Sequence, residues 1–373
     1  MSEGKLKTAI LGLDGDGQLL AKAASQTDYF QIQAVADRDT NLAEKVAAEY
    51  KCAGYDDYRQ LVMQNELDCL LVAAGMHACD EHIRSAMKKK FNILKLAPAA
   101  RNFEEAVEFV RLAEDEGVKF AIANPYRFAG SFRAFRRFLL EGRLEEVFLI
   151  TAFCNVGDES RSGWRSDPKL AGGGVLLQDC YQIIDQIMWD FPMPQQVFSL
   201  NTSQAVDKKQ RLCLTEDTVL VTMKFGDTLT GSLAAFRRAG PGAKQESLSV
   251  YGKDRILTVS ASRFAVRDNL GQIIEETKYE DDELCRMMGL LKDFAMSILL
   301  PEENKLTSSG RENLKDMAAI EAAYLSARTS MPEEPARVLQ MAQLGMSDIQ
   351  DVNSGSSILR SSPDLSGATA KDE

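Results

Sequence analysis

Histidine is scarce in this sequence of 373 residues, and the cysteines are widely spaced. His77 and His82 are the two histidines, and no two cysteines have the CxxC spacing. Zinc sites are built from closely spaced cysteine and histidine ligands, so the sequence predicts no metal site. The seven dispersed cysteines, odd in number, are typical of reduced core thiols in a cytoplasmic protein. They are Cys52, Cys69, Cys79, Cys154, Cys180, Cys213 and Cys285.

The sequence also lacks long hydrophobic runs and an excess of basic residues. No apolar run approaches the ~20 residues that a membrane-spanning helix requires. Residues 1–7 lead into a short strand-like run without the apolar stretch of a secretory signal, which favours a cytoplasmic location. Acidic residues outnumber basic ones by 55 to 44, giving a net charge of −11. Proteins bind nucleic acid mainly through lysine and arginine, so we expect no nucleic-acid partner. Because the apolar runs are short, we also expect no membrane partner.

Apolar residues make up 45% of the chain, which is enough for two folded domains. Up to residue 124, short apolar runs alternate with helical patterns, which predicts a Rossmann-like α/β domain with a doubly wound parallel sheet. Asn102 and Glu105 have the spacing of a capping box, and Gly117 is expected to end the same helix. The predicted strands are Thr8–Leu11, Ile32–Ala36, Cys69–Ala73, Asn92–Lys95 and Lys119–Ala123.

Residues 125–340 have a different pattern, in which strands are gathered in one region. A helix is predicted over Ser131–Glu141, a second apolar helix after Gly172–Gly174, and helical periodicity over Leu284–Thr329. Gathered strands indicate an α+β domain with an open-faced, mostly antiparallel sheet. Residues 347–373 are rich in Ser, Gly and Asp and are predicted to be a disordered tail. The predicted strands are Val147–Phe153, Val197–Leu200, Thr218–Phe225, Thr228–Phe236, Glu246–Tyr251 and Ile256–Ser260.

A glycine-rich turn follows the first predicted strand, which is the position of a dinucleotide-binding fingerprint. Gly12 and Gly17 occupy the first and third positions of GxGxxG, but Asp14 occupies the second. Asp37 ends the second predicted strand, where a carboxylate would accept hydrogen bonds from an adenosine ribose. The neighbouring Arg38 would stack on adenine or contact a 2′-phosphate. The turn therefore predicts NAD or NADP as the cofactor.

Asp14 is the residue of this fingerprint that disfavours cofactor binding. Two like charges ~4 Å apart at an effective dielectric constant of ~20 repel by about 4 kcal/mol, which would weaken pyrophosphate binding roughly a thousandfold. Asp16 adds a second negative charge. Two interpretations remain open: the turn only preserves the fold and binds no dinucleotide, or the loop is shifted so that Gly15 approaches the cofactor.

Five segments in order resemble the glucose–fructose oxidoreductase / inositol dehydrogenase / rhizopine-catabolism (Gfo/Idh/MocA) family over residues 7–332. The resemblance implies a Rossmann domain joined to an open-faced sheet, a sugar- or polyol-like substrate, and a homo-oligomer that uses that sheet. It also implies that Ala74 and Gly75 lie in a loop beside the cofactor. The segments are Ala36–Asp39, Tyr55–Tyr58, Ala121–Phe128, Gly163–Pro168 and Gly172–Gly174.

The resemblance fails at the positions where the family carries its acid–base residues. The lysine of the family's Glu-Lys-Pro motif corresponds to Ala97 in this sequence. The aspartate and histidine of its Asp-x-Gly-x-His motif correspond to Gln178 and Gln182. None of these three side chains exchanges a proton near neutral pH. On one helix Gln178 and Gln182 would share a face, from which they could hydrogen-bond the hydroxyls of a polyol.

Three residues are candidates to replace the missing acid–base groups: Lys95, His77 and Tyr126. Lys95 precedes Ala97 by two positions, so its amine would point to the same side of a strand and reach into the site. Alternatively, Lys95 faces solvent or pairs with a carboxylate. His77 follows the strand that ends at Ala73, at the side of the sheet where ligands gather. Candidate substrate-binding residues are Arg127, Trp164, Arg165, Gln178, Asp179 and Gln182.

These observations support two main hypotheses of function. In the first, the chain is a catalytically impaired oxidoreductase, a pseudoenzyme, that binds a sugar-like or nucleotide ligand. In the second, it is an active NAD(P)-dependent oxidoreductase of a sugar or polyol in which Lys95, His77 or a tyrosine handles the proton. A structural partner that oligomerises through its sheet is a third hypothesis, and the fold alone does not decide among them.

Overall fold

The structure is a computed structural model that describes residues 4–157, 163–203, 215–237 and 244–341. The first part forms a six-stranded, wholly parallel sheet, here called sheet A. Its strands are β1 (Leu6–Leu11), β2 (Phe30–Ala36), β3 (Ala53–Tyr55), β4 (Cys69–Val72), β5 (Asn92–Leu96) and β6 (Phe120–Ala123). Their order is β3-β2-β1-β4-β5-β6, so the prediction of a Rossmann-like domain is confirmed. The three-residue β3 was not predicted.

Helices connect these strands on both sides of sheet A. They are α1 (Gly15–Ser25), α2 (Thr40–Tyr50), α3 (Tyr58–Gln64), α4 (Met76–Lys88) and α5 (Phe103–Glu116). The Asn102 side chain accepts a hydrogen bond from the Glu105 amide at 2.9 Å, as predicted, and Gly117 ends α5 in the left-handed conformation at φ +67°. The Glu105 carboxylate accepts from the Arg101 amide instead of the Asn102 amide, so the capping box is incomplete.

The second part contains an eight-stranded sheet, here called sheet B. Its strands are β7 (Leu149–Asn155), β8 (Gln196–Thr202), β9 (Thr218–Lys224), β10 (Thr230–Phe236), β11 (Gln245–Tyr251), β12 (Arg255–Ser260), β13 (Arg263–Asp268) and β14 (Ile273–Lys278). The order is β14-β13-β12-β11-β7-β10-β9-β8, and only β7 and β10 pair in parallel among these strands. The predicted mostly antiparallel sheet is therefore confirmed. The strands β13 and β14 were not predicted. The edge strand β14 is exposed along its whole length and has no apolar alternation.

The helices of the second part are shorter than predicted in two places. They are α6 (Gly130–Leu140), α7 (Pro168–Ala171), α8 (Val175–Gln178), α9 (Tyr181–Asp190), α10 (Glu283–Leu299), α11 (Gly310–Thr329) and α12 (Pro335–Met341). The apolar helix after Gly174 is broken between Gln178 and Tyr181. The helical stretch near the end is interrupted over residues 300–309, where Pro301 cannot continue a helix.

The C-terminal helices pack back onto the first part of the chain. Leu291 and Phe294 of α10 are fully buried in one cluster with Leu20 of α1, on one side of sheet A. The other side of sheet A shares a second cluster with the inner face of sheet B. The domain boundary at residue 124 stays a prediction, and residues 347–373 lie outside the described part of the chain. In the described ranges, no helix combines the length and the apolar character of a membrane span.

Candidate functional site

A cleft of about 830 Å³ opens between the carboxyl edge of sheet A and one end of sheet B. Ligands of open α/β sheets bind at this edge, because the loops and helix N-termini converge there. Residues that line the cleft include Ala97, Ala123, Tyr126, Gln178, Gln182, Glu246, Arg263 and Arg286.

The glycine-rich turn lies at the same edge of sheet A. Gly12 has φ +83°, and a Cβ atom there would overlap the backbone of Ala74. A Cβ atom on Gly17 would overlap the Gly12 carbonyl oxygen. Gly15, the first residue of α1, has open space around its Cα atom. The turn therefore leaves room beside a helix N-terminus, whose unpaired amide groups favour phosphate.

Asp14 is exposed beside this open space, and its side chain does not cap α1. Partial burial raises the pKa of Asp14, the Arg165 guanidinium lowers it, and the Asp16 and Asp37 carboxylates raise it again. Arg165 therefore offsets part of the negative charge that the sequence predicted at this turn.

Asp37 joins the end of β2 to the glycine-rich turn. Its Oδ2 atom accepts from the Leu13 amide at 2.7 Å, and its Oδ1 atom accepts from the Asp39 amide at 2.9 Å. Each carboxylate oxygen keeps a further lone pair that could accept a ribose hydroxyl. The exposed Arg38 lies over the Tyr58 ring, 5.9 Å from its centroid. The open space at Gly15, the helix N-terminus and the Asp37 carboxylate thus fit a dinucleotide.

Ala74 and Gly75 form the loop between β4 and α4. The Ala74 amide donates to the Leu11 carbonyl at 2.9 Å, which holds the loop against β1. A Cβ atom on Gly75 would lie 2.9 Å from the Trp164 ring. His77 lies against the same ring at a centroid distance of 5.1 Å, and burial lowers its pKa. His77 and Trp164 therefore border the cofactor loop, and neither lines the cleft.

Lys95 does not reach into the cleft, contrary to the expectation from its spacing to Ala97. Its Nζ atom donates to the carbonyl oxygens of Leu96 at 3.0 Å and Pro98 at 2.5 Å. The residue is 2% exposed, and burial lowers the pKa of its amine. The alternatives, a solvent-facing amine or one bonded to a carboxylate, also differ from the structure. The side chain folds beneath the turn after β5, because that turn presents carbonyl oxygens to it.

Arg127 and Asp179 also differ from the prediction that they face a ligand. Arg127 is buried and holds the carboxylate of Asp185, which is itself fully buried. Asp179 forms an ion pair with Arg237 at 3.2 Å, between side chains that are 8% and 3% exposed. Neither Arg127 nor Asp179 lines the cleft. Both side chains instead form ion pairs that link separate segments of the chain.

Gln178 and Gln182 both line the cleft, although they belong to different helices. The Gln178 amide donates to the Ala171 carbonyl at 2.7 Å, which fixes the side chain. The Oε1 atom of Gln182 is buried and has no hydrogen-bond partner among the described residues. An unpaired buried acceptor at a cleft is suited to receive a ligand hydroxyl, because leaving it unpaired costs about 1–3 kcal/mol.

Tyr126 lines the cleft and donates a short hydrogen bond to the Oε2 atom of Glu246, which lines it too. Burial raises the pKa of Glu246 to about 7, and the Tyr126 hydrogen bond opposes that rise. The sequence analysis missed Glu246, which lies between Gln245 and Ser247 in a polar stretch. Its two-residue spacing from the apolar Leu248 was the one available signal that it faces inward.

The described residues contain no group of three or more side chains placed to hold a metal ion. Four of the cysteines described in the structure are buried, one is partly buried and Cys285 is exposed, and all six are free. Cys213 lies outside the described residues.

Two family models match this chain. Residues 6–124 match a model described as an oxidoreductase family with an NAD-binding Rossmann fold, and residues 132–258 match a Gfo/Idh/MocA C-terminal domain. A D-xylose 1-dehydrogenase (NADP(+)) of Haloferax volcanii is 25% identical over 332 residues, which cover 87% of this chain and 98% of the relative.

Two further proteins have partial or structural similarity. A 2,7-anhydro-N-acetylneuraminate hydratase of Escherichia coli is 24% identical over 179 residues, and the match spans 46% of this chain and 48% of that protein. The solved structure of levoglucosan dehydrogenase with NADH and levoglucosan superposes with a TM-score of 0.79. The sequences are 15% identical, and the superposition covers 89% of this chain and 99% of that one. At this identity the similarity shows a common fold.

Proposed function

Because the chain belongs to the Gfo/Idh/MocA oxidoreductase family, we propose that it binds NAD(P) at the carboxyl edge of sheet A and a polyhydroxylated, sugar-like ligand in the adjoining cleft. We also propose that Gln178 and Gln182 bind the ligand and that the small Ala97 side chain makes room for it. None of these three side chains transfers a proton. The observation that carries it is the buried, unpaired Oε1 atom of Gln182 at the cleft.

Support for the cofactor comes from the shape of the glycine-rich turn. The space at Gly15 and the N-terminus of α1 would receive the pyrophosphate, and Asp37 would accept from the adenosine ribose. Arg165 beside Asp14 supports binding despite the acidic turn, because it offsets part of the charge. Bound NAD(P) would supply a hydride acceptor or donor to the cleft.

Support for a polyhydroxylated ligand comes from the two amides. Gln182 offers a carbonyl acceptor, and Gln178 is held in place through its NH₂ group, which leaves its carbonyl oxygen to accept. The small Ala97 side chain leaves room beside them. Sugars and polyols present the donors that such acceptors require. The D-xylose and levoglucosan dehydrogenases named above are consistent with this ligand class.

The alternative, an active oxidoreductase with Lys95 or His77 as the displaced base, has less support. Lys95 is bonded to backbone carbonyls, and His77 lies beside Trp164 outside the cleft lining. Turnover would therefore need a different acid–base group in the cleft.

Trp164 provides a direct test of cofactor binding, because it borders the loop of Gly75. Titration with NADH or NADPH is expected to quench Trp164 emission in wild type, and Trp164→Phe removes the response. Gly15→Ala is expected to weaken cofactor binding at least tenfold with unchanged thermal stability, because its Cβ atom enters the phosphate space. Gly4→Ala, also in open space, is the matched control. No binding at millimolar cofactor contradicts the proposal.

Ligand binding is tested separately by calorimetry with a panel of sugars and polyols in the presence of saturating NADH. Gln182→Met keeps the length of the side chain and removes the acceptor, so binding of the best ligand is expected to weaken about tenfold or more. Gln196→Met, on the exposed edge strand β8, is the control. Equal binding by Gln182→Met and wild type contradicts the assigned role of Gln182.

A homo-oligomer formed through the outer face of sheet B is also part of the proposal. Leu200 on β8 and Leu220 on β9 are register partners, and they are 56% and 52% exposed. Exposed apolar neighbours of this kind favour association. Light scattering after gel filtration is expected to give a multiple of the chain mass, and Leu200→Glu is expected to give the monomer. We also place the chain in the cytoplasm, a reducing compartment that suits its free thiols.

A further inference from the structure

We infer that Tyr126 and Glu246 form a proton relay in the cleft, which allows hydride transfer between NAD(P) and a carbohydrate hydroxyl without acid–base residues at positions 97, 178 and 182. This inference rests on the dinucleotide and ligand binding proposed above, and it adds a catalytic activity to them.

The strand geometry places Glu246 against the cleft. On β11, Leu248 and Val250 face the core, and Glu246 has the same parity. Its register partner on β7 is Cys154, whose side chain is also buried. Tyr126 comes from the 3₁₀ turn after β6, so the pair joins the carboxyl edge of sheet A to sheet B.

The Glu246 carboxyl group is only partly satisfied by hydrogen bonds. Its Oε2 atom accepts from Tyr126, whereas Oε1 is buried and has no partner in the described part of the chain. A buried carboxylate with a single hydrogen bond is poorly stabilised, which is why burial brings the pKa of Glu246 to about 7. The carboxylates of Asp16 and Glu283 also line the cleft, but both residues are exposed.

Further charged and titratable groups lie near the pair. Arg286 of α10 lowers the pKa of Tyr126, while burial and Glu246 raise it. Arg286 is held in place by Asp281 and by the Ala261 carbonyl, which accepts at 2.9 Å. The hydrogen bond that the Cys180 thiol donates to Cys154, together with burial, keeps the pKa of Cys180 high, so that thiol stays neutral. The other charged and titratable groups near the pair are Cys154, Cys180 and Arg286, and Lys244 and Arg263 line the same cleft.

Tyr126 is positioned to receive the proton first. Its ring is stacked on Phe132 at a centroid distance of 4.7 Å, which fixes the direction of the hydroxyl group. The Tyr126 hydroxyl donates to Glu246 Oε2, and both residues line the cleft. A group with a pKa near the working pH is suited to accept and return protons.

The relay balances the oxidation of a secondary alcohol. NAD(P), when bound, would supply the hydride acceptor. As the carbinol carbon loses hydride with its electron pair, the hydroxyl proton moves to Tyr126 Oη, the proton of Tyr126 moves to Glu246 Oε2, and the substrate C–O bond becomes a carbonyl. Tyr126 ends neutral and Glu246 ends protonated. Reduction of a ketone runs the same transfers in reverse.

Infrared spectroscopy tests the protonation of Glu246 without requiring turnover. Infrared difference spectra of the full chain between pH 5 and 9 are expected to include a buried carboxyl band of Glu246 that titrates near pH 7, beside bands of Asp190 and Asp316, whose pKa values burial also raises. Glu246→Gln keeps an acceptor for Tyr126 and is expected to remove this signal. Tyr126→Phe removes a hydrogen bond to the charged form, so the midpoint is expected to rise above 7. Carboxyl bands that titrate identically in wild type and Glu246→Gln overturn the assignment.

Steady-state kinetics with the best ligand from the calorimetric panel test the function of the pair. Dehydrogenation is expected to rise with pH through about 7, because Glu246 must be ionised, and reduction is expected to fall. Glu246→Gln is expected to lower kcat by ~10²–10⁴-fold with NADH affinity unchanged, and Tyr126→Phe to do the same. Glu302→Gln, exposed after α10, is the control. A Glu246→Gln variant with the wild-type rate and pH profile overturns the relay.

The binding measurements separate the two proposals. Wild-type protein that binds NADH and a polyol but shows no turnover in either direction overturns the relay and leaves the proposed binding intact. If neither NADH nor NADPH binds at millimolar concentration, the proposed function is overturned, and the relay is overturned with it because no hydride acceptor is present.

Discussion

Arg127 and Asp185 face each other through two parallel hydrogen bonds, from Nε to Oδ2 at 2.8 Å and from Nη2 to Oδ1 at 2.6 Å. The pair connects the turn after β6 to helix α9, and the two side chains are 2% and 0% exposed. The Asn124 amide also donates to Asp185 Oδ1 at 2.9 Å. These contacts fix the junction between the parts of the chain that carry sheets A and B.

Removing one partner of this buried pair is expected to destabilise the protein strongly. In Asp185→Asn the buried Arg127 guanidinium loses its two-bond carboxylate partner and keeps only the partly exposed Glu312 at 3.3 Å, so the free energy of unfolding should fall by about 3–5 kcal/mol. Urea denaturation followed by circular dichroism measures the loss. Asp28→Asn, at a fully exposed carboxylate, is the control. A loss below about 1 kcal/mol contradicts this role of the pair.

Asp316 on α11 is expected to make stability depend on pH. Burial, with the nearby Asp185 carboxylate, raises the pKa of Asp316 well above 3.8, so unfolding above that pH releases a proton. Stability is therefore lost as pH rises through the raised pKa, by up to about 1.4 kcal/mol per pH unit. Asp316→Asn lacks this ionisation. Its stability relative to wild type should increase between pH 4 and pH 7, and a constant difference contradicts the assignment.

Lys95 is expected to matter for stability and not for proton transfer. Lys95→Met keeps the length of the side chain but leaves the Leu96 and Pro98 carbonyls without their donor, which should cost about 1–3 kcal/mol of unfolding free energy. NADH affinity should stay within about twofold. Lys45→Met, at an exposed position on α2, is the control. Full stability with lost turnover would instead identify Lys95 as the displaced base.

Asp14 is expected to weaken cofactor binding through its charge. Asp14→Asn removes one negative charge beside the phosphate space, and with Arg165 already offsetting part of it, NADH should bind about tenfold tighter. The substitution should leave stability unchanged, because Asp14 makes no side-chain cap. Calorimetry at low and high salt measures the effect, which should shrink as salt screens the charges. Unchanged affinity at low salt contradicts it.

Much of the fold could be predicted because its signals are local. The buried strands of sheet A are short apolar runs, and Asn102 and Gly117 mark the two ends of α5 by their own side-chain and backbone chemistry. The break between α8 and α9 could not be predicted in this way. Glu216, about forty residues away, accepts from the amides of Gly174 and Leu176, and Arg237 holds Asp179.

The candidate site was less predictable than the fold because its contacts join residues that are far apart in the sequence. Tyr126 and Glu246 are 120 positions apart, and neither stands in a sequence motif that indicates the other. Lys95 and Arg127 have the residue types expected of a site, but the structure surrounds them with carbonyl and carboxylate partners of the fold. Charge alone therefore did not distinguish groups that line the cleft from groups that support it.

The interruption between α8 and α9 has a consequence for how this cleft could diversify. Gln178 and Gln182 are carried by separate helices, so the distance between their amides is not dictated by the helical repeat. A change at the Asp179–Cys180 junction could move one amide while the other stays fixed. The ligand preference could then change through substitutions at this two-residue junction, while the packing of both sheets stays the same.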